Sequence, residues 1–292
     1  MKRIKEVAIE KTLLVSALVT IAVTLGIILV LSIEAFNFFR EVPIIDFITD
    51  TQWTPLFTEK HFGILPLLSG TLLTSFIAIA FAVPVGLSIS IYISEYAPKS
   101  FRKTIKPALE LLAAVPTVVY GFFALTVVTP FLQTFIPGLS GFNSLSAGLV
   151  MGIMIIPFIS SLSEDALHAV PNSLREASYG MGSTRLQTAF KVLVPAASSG
   201  IIVSIILAIS RAIGETMIVA IAAGQQPRLT LDPTVPVETI TAYIVQVSLG
   251  DVGHGTLEYQ TIFAAGITLF IFTFLLNTLS YRLRKKFAEK YE

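Results

Sequence analysis

No charged residue lies between Leu13 and Ile33, between Ile64 and Ser94, between Leu111 and Ser163, or between Tyr259 and Tyr281. A helix needs about 20 apolar residues to cross a bilayer core of about 30 Å. Uncharged runs of this length therefore constrain the fold more than any other feature of the chain. The run from Leu111 to Ser163 is long enough for two crossings, separated by the turn-rich stretch Pro137–Ser146. Val192 to Gly224 makes a further crossing, interrupted by Arg211 and Glu215. The expected fold is an all-α integral membrane protein with six transmembrane helices. Composition agrees: 13% of residues are charged, against about 25% in soluble domains.

Six crossings put both termini on one side, and the distribution of Lys and Arg says which. Cytoplasmic loops collect these residues and translocated loops do not. Of the 20, only Arg40, Lys60 and Arg228 fall on the side opposite the termini, and Arg211 lies within a span. The rest, from Lys2 through Lys99, Arg102, Arg175 and Lys191 to Lys290, share the terminal side, which is therefore expected to be cytoplasmic. The basic start MKRIKEVAIEK precedes a run longer than the 7–15 apolar residues of a secretory signal, with no A-x-A-like site after it. It is read as a membrane helix. Topology accounts for the basic residues, so no nucleic-acid-binding patch is expected.

Residues 1–63 are expected to hold a cytoplasmic tail, a first helix and an external segment whose aromatics, Trp53 among them, suit a membrane interface. Residues 64–292 are expected to form one body. Pro84, Pro116, Pro130 and Pro157 lie within spans, where neighbouring helices can satisfy the freed backbone groups. Gly148 and Gly152 form a G-x-x-x-G, read as ordinary close helix packing. Pro236–Asp251 reads either as a short surface or re-entrant helix or as simple loop packing. Glu110 is read as a structural cap near the start of the third span, and Glu164 and Asp165 as a solvated helix end.

The loop between the fourth and fifth spans is charged and water-facing. Ser173 followed by Glu176 fits a capping box for a short helix, which Gly180 or Gly182 can end. A second helix would run from Ser183 to Pro195. Here the sequence resembles the EAA loop of ATP-binding-cassette importer permeases, written E-A-A-x3-G-x9-I-x-L-P. Glu176, Ala177, Gly182 and Pro195 match at the family's spacing, while Ser178, Val192 and Val194 depart from it conservatively. The resemblance implies a type I ABC importer permease (MetI-like) core of five helices plus an N-terminal helix. It also implies that loop 171–195 docks on a separate ATPase, with Glu176, Ala177, Gly182 and Pro195 serving that coupling. The chain has no G-x-x-x-x-G-K-[ST] phosphate cradle, so ATP and Mg are expected on a partner and no cofactor on this chain.

Arg211 and Glu215 stand four residues apart in an apolar span, where they could share a helix face and pair. An isolated Arg at a helix centre costs about 2.5–3.5 kcal/mol on insertion scales. Such a residue is read either as a structural salt bridge or as part of an anion path, where a guanidinium suits a tetrahedral oxyanion. Ser210-Arg-Ala-Ile-Gly-Glu-Thr-Met217 resembles the R-A-x-G-E-T segment of phosphate-specific transport permeases. Gly70–Ser75, Ser94–Pro98 and Glu110–Gly121 resemble the PstC-type member of the permease pair. That resemblance implies that Arg211 and Glu215 take part in phosphate passage. It also implies a PstA-type permease, a PstB-type ATPase dimer and a PstS-type phosphate-binding protein as partners. Sulfate or molybdate transport remains the alternative. An intramembrane enzyme is disfavoured, with no Cys and no clustered His, and a structural or sensory membrane protein would leave the EAA-like loop unexplained.

Overall fold

The computed structural model describes residues 2–287. The expectations for Lys290 and for the side chain of Glu110 fall outside what is described. Helix α1 (Lys2–Glu41) is followed by the short α2 (Ile44–Thr49) and then by α3 (Leu65–Ile91), which runs on through a π-helical turn, Tyr92–Tyr96. Among the described residues, four helical stretches are each long and apolar enough to cross a membrane alone: Ile9–Glu41, Leu65–Tyr96, Ser144–His168 and Leu257–Leu279. Two further candidate crossings are each a pair of helices bent at a short break.

The first joins α4 (Lys99–Ala114) to α5 (Thr117–Gln133), bent by 85°. The third span therefore starts at Thr117, not at Leu111. Pro116 is the reason: a residue before proline is pushed out of the α region, and Val115 is extended at φ −64°, ψ 130°. What precedes it is an amphipathic helix lying across the bundle, with Arg102, Lys103 and Lys106 on it, the pattern of an interfacial helix.

After α6 (Ser144–His168) come α7 (Asn172–Gly180) and α8 (Arg185–Ala196). Helix α8 meets α9 (Ser198–Ile213) at 74°, so Val192 belongs to α8 and the fifth crossing begins at Ser198. The helix stops at Ile213, and the short α10 (Met217–Ala222) follows. Helix α11 (Ile240–Leu249) fills the stretch left open between helix and loop, and α12 (Leu257–Phe287) closes the chain. Helices α4 and α7 lie at the C-terminal ends of α3 and α6, where they pair with Glu164 and Glu95, and α2 and α11 lie at the opposite end, against Leu67 and Thr71 of α3.

The core sits where α3 and α6 cross. A Cβ on Gly148 would come within 2.7 Å of the Ile77 Cβ, and one on Gly152 within 2.9 Å of the Ala78 carbonyl oxygen. The two glycines thus let the backbones approach, as small-residue packing requires. On the opposite face Trp53 is 1% exposed and packs edge-on against Phe47 and Tyr243. It belongs to a buried aromatic cluster, because the segment folds back over α3 and α11 and covers it.

Candidate functional site

Three groups of polar residues stand out. The first is the break between α9 and α10. Gly214 ends α9, and Arg211 lies in its last turn, where a cation is favoured by the helix dipole. Glu215 is beyond the helix end and 9% exposed. Its Oε1 accepts from the backbone N–H groups of Met217 at 3.1 Å and Ile218 at 3.4 Å, so it satisfies the first amides of α10 from the position before the N-cap, Thr216. The Arg211–Glu215 ion pair expected from their spacing is not formed: the helix that would align them stops between them, and the carboxylate is committed to α10. Arg211 is exposed on the subunit surface, and among the described residues no carboxylate lies within ion-pair distance of it. A guanidinium exposed at this depth is costly against lipid, so this face is suited to an aqueous path or another subunit. From α11, Thr241 Oγ1 donates to the Glu215 carbonyl at 2.7 Å and fixes the break from the opposite face.

The second group is the α7–α8 hairpin. No capping box forms at Ser173, because α7 starts from Pro171 with no side-chain cap. The capping box lies eleven residues later, at the start of α8: Thr184 accepts from the Gln187 amide at 3.3 Å, and the Gln187 side chain accepts from the Thr184 amide at 2.9 Å. Gly182, with φ +81°, ends α7, and the Ser183 amide reaches back to the Ser178 carbonyl at 3.2 Å. This is the glycine-dependent reversal of a Schellman-type end. The Ser178 and Thr188 hydroxyls hydrogen-bond at 2.8 Å across the two helices. Glu176, Ala177 and Gly182 are therefore brought together on an exposed tip, with Met181, Leu186 and Phe190 exposed around them. Pro195 stays apart, in the last turn of α8.

Gly182→Val isolates the turn, since open space surrounds the Cβ position and only the left-handed backbone resists. A left-handed non-glycine residue costs about 1–2 kcal/mol. Hydrogen exchange at the Ser183 amide should accelerate about five- to thirtyfold, with the α3 and α6 amides unchanged. Equal protection of Ser183 in both proteins would refute this account of the turn.

The third group was not legible in the sequence. Arg175, just ahead of the EAA-like motif, donates to the Leu167 carbonyl at 2.7 Å and the Val170 carbonyl at 2.8 Å, and pairs with Glu95 at 3.2 Å. It ties the hairpin to the end of α6 and to the π turn after α3. Glu164, expected at a solvated helix end, is 0% exposed and pairs with Arg102 and Lys106 of α4, while Lys106 also meets Asp165 at 3.0 Å. The right-angle course of α4 carries these cations over α6, so the carboxylate is enclosed. An isolated Glu95 at the end of an apolar run and an Arg ahead of the EAA-like Glu were the available signals.

A family model for binding-protein-dependent transport system inner membrane components matches residues 82–291. The chain belongs to this family of permeases. Curated relatives of the permease include the phosphate transport system permease protein PstC of Mesorhizobium japonicum, 38% identical over 79% of this chain and 75% of the relative. Another is a probable ABC transporter permease protein, YqgH, of Bacillus subtilis, 35% identical over 89% and 84%. Among solved structures, a chain of a bacterial alginate ABC transporter superposes with a TM-score of 0.64 at 20% identity, covering 96% of the permease and 98% of that chain. A chain of the MetNI methionine ABC transporter does so at 0.60 and 18%, covering 77% and 97%. At these identities the two structures speak to the fold alone. The permease is thus a multi-pass membrane subunit of a transport system, not an enzyme, and family membership implies ATPase and substrate-binding-protein partners.

Proposed function

We propose that this permease carries inorganic phosphate inward as half of the translocation path of an ATP-driven importer. The observation that carries the reading is its similarity over most of its length to phosphate transport system permeases, 36–38% identical in Mesorhizobium and Xylella. The exposed Arg211, which makes no ion pair among the described residues, supports it together with the neighbouring Glu215, because a planar set of N–H donors suits a tetrahedral oxyanion. In this reading the termini, α4 and the α7–α8 hairpin face the cytoplasm, in keeping with the distribution of Lys and Arg. Residues 1–63 are an addition to the permease core of 64–292. The Glu176–Gly182 tip docks on a PstB-type ATPase, a PstA-type permease supplies the other half of the path, and a PstS-type protein delivers the ion.

The test is uptake of radiolabelled phosphate in a strain lacking its own permease, with the cognate partner subunits supplied and sulfate or molybdate in excess. Uptake that needs this chain and resists both competitors is expected. Uptake suppressed equally by sulfate or by molybdate would replace phosphate with a broader oxyanion substrate.

A further inference from the structure

A cavity of about 310 Å³ opens on the external face beneath the segment 53–57 and is lined by Trp53, Gln226, Arg228, Glu238, Tyr243 and Gln246 among others. Its floor carries a carboxyl group that the fold holds in place and leaves without a partner. Glu238 is 1% exposed, and its Oε1 has no hydrogen-bond partner among the described residues. The position is fixed by its backbone: the Val237 amide bonds to the Ala223 carbonyl at 3.0 Å. The Glu238 carbonyl lies so close to α3 that a Cβ on Gly70 would fall 2.2 Å from it. The buried Trp53 Nε1 makes no hydrogen bond of ordinary geometry among the described residues, with the Tyr243 hydroxyl as a weakly interacting neighbour. Buried polar groups are almost always satisfied, and each exception asks for an explanation such as a bound ion or water.

We propose that this cavity is an external site for a tetrahedral phosphoryl oxyanion, free inorganic phosphate, held by Arg228, the Trp53 indole and Glu238 before it reaches Arg211. The proposal rests on the phosphate-importer reading and adds a station to it. Every polar group named can donate. Arg228 makes no ion pair among the described residues and has only Gln226 Oε1, at 3.5 Å, as a side-chain partner. The other basic residues of this face are engaged, Lys60 with Glu258 and Arg40 over the Phe36 ring. Burial pushes the Glu238 carboxyl up to about 8, so near neutral pH it is an O–H donor rather than a repelling carboxylate. The cavity is also wired to the charged break. Glu238 directly precedes Thr239, which caps α11 by accepting from the Ala242 amide at 3.2 Å, and Thr241 of the same turn holds the Glu215 carbonyl.

Trp53 is the single tryptophan of the chain, so its fluorescence reports on this cavity alone. The full chain is titrated with inorganic phosphate in dodecyl maltoside, which carries no phosphate; a parallel arm titrates phosphatidylglycerol. A saturable phosphate response is expected. Arg228→Gln removes a charged hydrogen-bonding group and should raise the half-saturating concentration at least about tenfold. Arg228→Lys should recover part of this, and Glu238→Gln, a neutral donor of similar shape, should keep the response. Arg211→Gln should leave it unchanged. A silent Trp53 in a complex that still imports phosphate would overturn the site and leave the importer reading standing. A response to the lipid only, or one indifferent to Arg228→Gln, would also overturn it. A Trp53 response in a complex that imports no phosphate would support the site while the importer reading failed.

Discussion

Replacing both Arg211 and Glu215 by glutamine is expected to cut phosphate uptake at least about tenfold while leaving the subunit folded and assembled. The size follows from the chemistry: a hydrogen bond to a charged group contributes about 1.5–3 kcal/mol, and 1.4 kcal/mol is a factor of ten. Glutamine suits the test because the two residues do different things. At position 215 its side-chain oxygen can still accept from the Met217 and Ile218 amides, so the first amides of α10 stay satisfied and only the charge is removed. At position 211 no protein partner is lost, since the guanidinium makes no ion pair among the described residues. Separate single variants apportion the effect, with Arg211→Lys retaining part of the activity through its charge but not the planar donor set. Uptake by the double variant equal to that of the parent, at equal abundance in the membrane, would remove both residues from the path.

Glu164→Ala is expected to be the most destabilising single change, by about 3 kcal/mol. Breaking a buried ion pair from one side costs roughly 3–5 kcal/mol because a charge is left enclosed without its counterpart. Here two cations lose the same partner. The lower end applies because Arg102 and Lys106 keep 28% and 30% side-chain exposure and can turn toward water, and Lys106 still has Asp165. The midpoint of thermal unfolding should fall by several degrees, and Glu164→Gln should fall less. Adding Arg102→Ala to Glu164→Ala should restore part of the loss, as coupled neighbours do in a double-mutant cycle. Full additivity of the two changes would mean that the ion pair does not hold α4 to α6.

These two cases mark what the sequence could and could not say. Uncharged length located the crossings, because hydrocarbon permits little else, and G-x-x-x-G located the tightest helix contact, because close approach demands the absence of Cβ. Apolarity does not distinguish a crossing from a helix lying along the surface, so Leu111–Val115 was assigned to a span although Pro116 turns the chain by 85°. Spacing of four residues promises a shared face only if the helix continues, and Gly214 ends it before Glu215. The enclosure of Glu164 depends on residues far away in the chain, on a helix whose direction only the fold reveals. The EAA-like loop was legible as a protrusion, yet the bonds from Arg175 to Leu167 and Val170 were not, since backbone carbonyls leave no trace in a residue pattern.

Those bonds have a mechanical meaning. Arg175 grips the last turn of α6, Glu164 of α6 grips α4, and Glu95 joins the end of α3 to the same arginine. A load applied at the Glu176–Gly182 tip is therefore delivered to three helices at once, and the hairpin cannot slide without carrying their lower ends along. Outside this clamp the chain turns through 85° at Val115–Pro116 and through 74° at Ala197.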